Sequence, residues 1–163
     1  MDPAAELARL DAAPGYRLTI IIDPDGETKD ALLQSWTERQ ACPFAWLGVQ
    51  QSDNDPAIFF SRLQACLRST GHFPAAPACH GDNPAWEEYL TEALNDAIDL
   101  AGDFFLIIDG YELITTPEIH QALGWVLDYI PDPMHLIITS RQQLPLPIPR
   151  LRLRRQLLEI ELG

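Results

Sequence analysis

Positive charge is scarce in this sequence. Its 163 residues include 11 lysines and arginines against 24 aspartates and glutamates, which gives a formal charge of −13 at neutral pH. A surface of this sign repels the phosphate backbone of nucleic acids, and it lacks the basic side chains whose binding would release counterions. The composition therefore predicts that this domain does not bind DNA or RNA directly.

Long apolar runs and a cysteine framework are also missing. No apolar run approaches the roughly twenty residues of a membrane span, and the N-terminus lacks the basic start and apolar stretch of a signal peptide. The three cysteines (Cys42, Cys66 and Cys79) form an odd and widely spaced set, which is typical of a reducing compartment. We therefore expect a cytoplasmic location and no membrane partner. The length and the apolar content of 47% predict one folded domain.

Four short apolar runs predict the strands of a parallel sheet, at residues 18–22, 44–49, 104–108 and 136–139. Each is nearly continuous in apolar residues, as are strands that helices cover on both faces. Between them, a capping residue followed by proline predicts helix starts at Asp55-Pro56, Asn83-Pro84 and Thr116-Pro117. Strands that alternate with helices predict an α/β fold, a three-layer parallel sheet of about five strands with helices on both faces.

Two segments lack this regular pattern. Residues 71–82 are rich in proline, glycine and alanine and predict a loop. Residues 144–155 begin with alternate prolines and end in alternating arginine and leucine, which would separate the two residue types if the segment were extended. Residues 157–162 predict a fifth strand, at the edge of the sheet. We treat residues 1–163 as one domain, with 142–163 as a candidate linker and edge strand toward a further C-terminal region.

The only lysine of the chain, Lys29, lies between the strand 18–22 and an apolar helical pattern. A P-loop lysine occupies this position and reaches the β- and γ-phosphates of a nucleotide. A phosphate cradle, however, needs bare backbone N–H groups and a hydroxyl for magnesium. The loop 23–30 has one glycine and four carboxylates, at Asp23, Asp25, Glu27 and Asp30. It therefore has the position of a P-loop but an altered chemistry.

Two further strand ends carry candidate site residues. Asp109 follows the apolar strand 104–108, which is the arrangement of a Walker B aspartate that holds magnesium. The next residue is Gly110, where hydrolysing members of such folds commonly place a second carboxylate. Ser140 and Arg141 follow the strand 136–139 and are suited to contact a γ-phosphate. Together with Lys29, these residues predict a nucleotide site at the carboxyl edge of the sheet.

Several segments together match one family. They are DGYELI (109–114), IHQAL (119–123), HLIITSR (135–141), LPLP (144–147) and RLRLR (150–154), with WL at 46–47 and DNDP at 53–56. These segments closely resemble the ATPase domain of MalT-like regulators, which are large ATP-binding LuxR-type transcription regulators of the STAND class of P-loop NTPases. The resemblance implies a P-loop NTPase fold and ATP with magnesium as cofactors. It implies nucleotide contacts by Pro24, Gly26, Lys29, Asp30, Asp109, Ser140 and Arg141, with Asp30 and Asp109 at the metal.

The sequence departs from the family pattern at residues on which the binding of nucleotide and magnesium depends. Family members typically read proline, alanine, glycine, aromatic, glycine, lysine, threonine, threonine, where this chain reads PDGETKDA at 24–31. Thr28 replaces a glycine, Asp30 replaces the hydroxyl ligand of magnesium, and Gly110 replaces the second Walker B acid. At about 4 Å and an effective dielectric near 20, each contact of a carboxylate with a triphosphate costs on the order of several kcal/mol. We therefore expect no required cofactor, with Mg-ATP bound only if the site still functions.

Three other interpretations remain open. The segment from Asp23 to Thr28 is similar to the opening motif of haloacid-dehalogenase-like phosphatases, whose first aspartate is the nucleophile. The same acids are calcium-ligand types, although no glutamate stands at the twelfth position. Zinc-ligand types occur at Cys66, His72, Cys79 and His80, in no familiar spacing.

The leading hypothesis is a degenerate nucleotide-binding domain of a MalT-like regulator that acts as a regulatory or protein-interaction module rather than as an enzyme. Its partners would be a protein or other domains of a larger regulator. The alternative is a signalling ATPase that still binds ATP through Lys29, Asp109 and Arg141 and switches a transcription regulator. A phosphatase that uses Asp23 is the third hypothesis.

Overall fold

The protein is described by a computed structural model that covers residues 3–73 and 86–162. The helices and strands in these ranges are α1 (Pro3–Leu10), β1 (Leu18–Ile22), α2 (Thr28–Arg39), β2 (Phe44–Gly48), α3 (Pro56–Arg68), α4 (Trp86–Ile98), β3 (Phe104–Asp109), α5 (Pro117–Tyr129), β4 (Met134–Ser140), α6 (Ile148–Leu153) and β5 (Leu157–Glu161). Within these ranges no helix is both long enough and apolar enough to cross a bilayer.

The five strands form one parallel sheet in the order β2-β3-β4-β1-β5. The α/β fold is confirmed. The predictions of β1 to β4 are confirmed to within two residues at each end, and β5 pairs with β1 at one edge of the sheet as the sequence predicted. The register aligns Ile22 with Ser140 and Gly48 with Asp109. The carboxyl ends of the strands therefore meet at one edge of the sheet, where α/β folds commonly bind ligands.

Alternate residues of each strand enter two different cores, and this makes the fold three-layered. On one face, Leu18 and Ile20 of β1 pack with apolar side chains of α3, α4, α5 and α6. On the other face, Ile21 packs with Leu33 and Trp36 of α2 and with α1. Because both faces of the inner strands are covered, those strands carry apolar residues at most positions, which explains why they were recognisable in the sequence.

Two of the predicted helix starts fall within the described residues and are confirmed. The Asp55 side chain accepts a hydrogen bond from the backbone N–H of Ala57, and α3 begins at Pro56. The helix α5 begins at Pro117, directly after Thr116. The third predicted start, Asn83-Pro84, and most of the predicted loop at 71–82 lie outside the described residues.

The arginine-leucine segment is a helix and not an extended strand. The helix α6 turns Ile148 and Leu151 into the core, where both are buried. Its proline at position 149 stands in the first turn, where a missing N–H costs no intrahelical hydrogen bond. Leu144 and Leu146 are buried as well, so apolar contacts along the whole segment outweigh its strand-like alternation. Residues 142–162 thus contain α6 and β5, both packed on the domain.

Candidate functional site

An ion pair lies at the carboxyl edge of the sheet. Lys29 stands in the first turn of α2, and its Nζ lies 2.7 Å from Oδ1 of Asp109 and 2.9 Å from Oδ1 of Asp30. The side chains of Lys29 and Asp109 are only 11% and 15% exposed. Burial alone would lower the pKa of Lys29, but its hydrogen bonds to Asp109 and Asp30 outweigh this effect and raise it. The lysine therefore carries its charge, and its nearest partners are carboxylates of the chain itself.

Both oxygens of the Asp109 carboxylate have hydrogen-bond partners. Thr139 donates its hydroxyl proton to Oδ1 at 2.6 Å, and the indole N–H of Trp46 lies 3.4 Å from Oδ2. Burial would raise the pKa of Asp109, but the hydrogen bonds from Lys29 and Thr139 hold it below its usual range. The backbone N–H of Gly110 in turn donates to the Thr139 hydroxyl at 2.9 Å. To coordinate a metal ion, the Asp109 carboxylate would have to give up some of these hydrogen bonds.

The side chain of Asp23 binds the backbone N–H groups at the start of α2. Its side chain is buried, and its Oδ2 accepts hydrogen bonds from the backbone N–H groups of Thr28 and Lys29, each at 2.9 Å. In a P-loop, N–H groups at this helix start bind phosphate. A carboxylate in this position also favours the positive end of the helix dipole. Asp23 therefore occupies the two backbone N–H groups that would bind a phosphate. Because its carboxylate is buried, it is not accessible as the nucleophile of a phosphatase.

Gly26 and Arg141 are in direct contact. Gly26 has φ of +74°, a left-handed conformation that side chains rarely adopt, and a Cβ at this position would lie 2.6 Å from Nη2 of Arg141. The guanidinium group therefore lies against the turn of the loop. Its Nε is 3.5 Å from Oε1 of Glu112, in the turn that follows β3. Arg141 thus connects the loop after β1 with the turn after β3.

The structure brings some of the predicted residues together and separates others. Lys29, Asp30 and Asp109 form one cluster, and Gly26 with Arg141 forms a second contact in the same loop. Pro24 is exposed and forms no part of either. Ser140 is buried, and its hydroxyl bonds to the backbone of Gln142. These bonds make Ser140 part of a turn, so its predicted contact with a phosphate receives no support from the geometry.

The sequence did not reveal the closing role of Asp23 or the part played by Glu112 and Trp46. A signal for Asp23 did exist, because an aspartate directly after a strand and shortly before a helix is well placed to cap that helix. Glu112 and Trp46 carry no such local signal, since they reach the site only through the packing of neighbouring strands.

The DNDP segment at 53–56 is structural. The side chain of Asn54 bonds to the backbone of Leu113 and Thr115, each at 2.7 Å, and Asp55 caps α3. The buried carboxylate of Asp53 pairs with Arg62. These contacts connect the loop after β2 to the loop after β3 and so fix the edge of the sheet at which Asp109 lies.

The metal interpretations gain no support. Residues 3–73 and 86–162 contain no group of three or more histidine, cysteine, aspartate or glutamate side chains that could hold a metal ion. Cys66 is partly buried on α3, where burial raises the pKa of its thiol. Cys79 and His80 lie outside the described residues.

Beside the site, Tyr111 and His120 form a hydrogen bond of 2.7 Å between the phenol oxygen and Nδ1. Burial raises the pKa of Tyr111 far above its ordinary value, so the phenol keeps its proton. Burial also lowers the pKa of His120 from its ordinary 6.5. Burial therefore favours the neutral form of this histidine in the folded chain.

This pair predicts a pH dependence of stability. Because the pKa of His120 is lower in the folded than in the unfolded chain, its contribution is complete above pH 6.5 and is lost as the pH falls through the folded-state pKa. Wild type should therefore lose more stability between pH 7.5 and 5.5 than His120→Gln in urea unfolding. Substitution of the exposed His72 by glutamine is the matched control and should follow wild type. Equal losses in wild type and His120→Gln would contradict the assignment.

Comparison with known proteins identifies relatives of the chain. It is 35% identical over 158 residues to the HTH-type transcriptional regulator MalT of Cronobacter sakazakii, 32% identical to that of Yersinia enterocolitica and 34% identical to that of Serratia proteamaculans. In each case the match covers 94% of this chain. The chain is homologous to part of MalT. It spans 17% of the length of these MalT relatives. No protein-family model matches the chain.

Solved structures agree on the fold. The chain superposes on Cdc6p from Pyrobaculum aerophilum with a TM-score of 0.60 and 14% identity, over 96% of this chain and 44% of the other. It superposes on a chain of the Drosophila ORC structure bound to AT-rich DNA and Cdc6 with a TM-score of 0.55 and 12% identity, over 98% and 56%. At these identities the likeness concerns architecture alone. The resemblance to MalT and the P-loop NTPase-type fold are both confirmed.

Proposed function

We propose that this chain is a nucleotide-site domain of a MalT-like regulator in which the chain's own side chains close the phosphate cradle. The domain then acts as a regulatory or protein-interaction module and does not hydrolyse ATP at a useful rate. The single observation that carries this proposal is the carboxylate of Asp23 on the backbone N–H groups of Thr28 and Lys29. A bound phosphate would need the same donors.

Three further features support the closed cradle. Each hydrogen bond to a charged group contributes about 1.5–3 kcal/mol, so an incoming phosphate must offset two such bonds as well as repulsion by Asp23. Lys29 already pairs with Asp109 and Asp30. Thr28 adds a side chain where the family pattern has glycine, and Asp30 has no hydroxyl to offer magnesium. The occupied N–H groups and the side chain of Thr28 therefore disfavour a nucleotide bound in the usual P-loop geometry.

The regulatory role comes from the relatives. They are named HTH-type transcriptional regulators, and the chain matches one segment of them. The net charge of −13 argues against direct contact of this segment with nucleic acid, so the proposed partners are proteins or other domains. A role in transcription regulation also supports the expected cytoplasmic location.

Calorimetric titration tests the proposal. Purified chain titrated with Mg-ATP and with Mg-ADP should give no binding heat at ligand concentrations up to the millimolar range. A phosphate-release assay on the same sample should match buffer. Micromolar binding that disappears in Lys29→Ala would overturn the closed cradle.

A second candidate function is favoured by one observation. Lys29 and Asp109 lie together at the strand ends, and Arg141 lies over the loop at Gly26, as an ATP-binding switch would need. In this alternative, nucleotide displaces Asp23 from the helix start, and Asp30 holds magnesium directly. The two functions differ in the titration, because the switch predicts saturable Mg-ATP binding that Arg141→Ala weakens.

A further inference from the structure

A basic and apolar tip ends α6. It consists of Leu153, Arg154 and Arg155, and we call it the α6 tip. Leu153 is 86% exposed, more than any other large hydrophobic side chain in the described residues. Arg154 and Arg155 are exposed too, in a chain with a net charge of −13. The tip therefore presents an apolar side chain and two positive charges at the same place.

The tip is held in place by the fold. The opposite face of α6 buries Ile148 and Leu151 in the core. After the helix, the backbone N–H of Gln156 bonds back to the carbonyl of Leu151 at 2.9 Å, and the N–H of Arg155 bonds to the carbonyl of Arg152 at 3.1 Å. The chain then enters β5 at Leu157. Leu153 and its neighbours are therefore displayed on a fixed turn.

One residue of the tip has a strained backbone. Arg155 has φ of +56°, and it is the one non-glycine residue in the described ranges with positive φ. This is the position just past a helix end, where glycine is the usual residue because a Cβ is unfavourable there. Non-glycine residues in such conformations cluster at functional sites. Arginine therefore occupies a position whose backbone conformation glycine would adopt without a Cβ penalty.

The charges of the tip are also unpaired. The two preceding arginines have partners, Arg150 with Asp128 and Arg152 with Glu159. Arg154 and Arg155 have no ion pair within residues 3–73 and 86–162. Two positive charges without an ion pair among the described residues thus follow one exposed leucine.

We infer that the α6 tip binds an acidic protein segment that carries an apolar side chain. The arginines would pair with carboxylates of the partner, and Leu153 would pack against its apolar residue. The acidic remainder of the chain repels a nucleic acid over a Debye length of about 8 Å, which favours a protein partner. This inference rests on the proposed interaction role and names the surface that would serve it.

Fluorescence anisotropy with a labelled synthetic peptide of alternating glutamate and leucine tests the inference. The full chain should bind this peptide in the micromolar range at low salt, and a peptide with glutamine in place of glutamate should bind at least about tenfold more weakly. The double variant Arg154→Glu/Arg155→Glu should lose about tenfold in affinity, and Leu153→Ala should lose about fivefold. Arg155→Gly should bind more weakly while its thermal midpoint stays equal or rises.

Matched controls separate the tip from general charge. Arg68→Glu reverses an exposed arginine on α3, and Ile98→Ala shortens an exposed side chain on α4, and both should bind as wild type does. Absence of peptide binding, or equal loss in Arg68→Glu, would overturn the inference. Tighter binding of duplex DNA or of anionic phosphatidylserine vesicles through the same residues would overturn it as well. The ATP titration is independent of all these outcomes, so the closed cradle and the tip can fail separately.

Discussion

Replacing Lys29 with methionine should destabilise the chain by about 2–3 kcal/mol, because it leaves the partly buried carboxylate of Asp109 without its cation. For a domain of this size, that loss corresponds to a fall in the thermal midpoint on the order of 10 °C. Urea unfolding at pH 7.5 measures it directly. The pKa of Asp109 lies below its ordinary 3.8, so the pair stabilises the fold above about pH 4 and the contribution is lost as the pH falls further.

Two companion variants isolate the ion pair. Lys29→Met/Asp109→Asn removes both charges, keeps an oxygen to accept from Thr139, and should recover more than half of the lost stability. Asp30→Asn removes the other partner of Lys29, whose side chain is 65% exposed, and should cost no more than about 1 kcal/mol. If Lys29→Met unfolds at the same urea concentration as wild type, the lysine has no structural role.

Opening the cradle should create nucleotide binding. The triple variant Asp23→Ala/Thr28→Gly/Asp30→Thr removes the carboxylate that holds the two N–H groups, removes a side chain from the loop, and supplies a hydroxyl for magnesium. We expect it to bind Mg-ATP with a dissociation constant of about 10–100 μM in calorimetry, where wild type gives no heat. The loss of the cap should cost about 1–2 kcal/mol in stability.

The matched control is Asp23→Asn with the other two changes. Asparagine keeps an acceptor for the two N–H groups, so this protein should bind Mg-ATP at least about tenfold more weakly than the variant with alanine. Circular dichroism establishes that both are folded. If the folded alanine variant gives no binding heat, Asp23 is not what keeps phosphate out.

The layered fold was predictable because both faces of the sheet are covered. Continuous apolar runs such as Phe104–Asp109 are then the only sequences that suit its inner strands, and proline with a capping residue marked the start of α3 and α5. The helix α6 was not predictable. Its alternating arginines and leucines fit a strand equally well, and the burial of Leu151 that decides for a helix depends on distant parts of the chain.

The candidate site was predictable in part. Lys29 and Asp109 could be assigned to one site from the sequence, because each follows a parallel strand and such strand ends share one edge of the sheet, but their direct ion pair was not predicted. The hydrogen bonds of Asp23 depend on the exact path of the loop, which Gly26 sets through its positive φ and its contact with Arg141. Ser140 was assigned to the site from its position, but its hydroxyl serves a local turn instead.

A tethered carboxylate differs from a diffusing anion in one thermodynamic respect. A metabolite that binds a folded protein stabilises that protein more as the logarithm of the metabolite concentration rises. A group on the same chain, by contrast, is present at a constant effective concentration. With Asp23 seated on α2, the folded population of this domain should stay the same whether the cell is rich in ATP or starved of it.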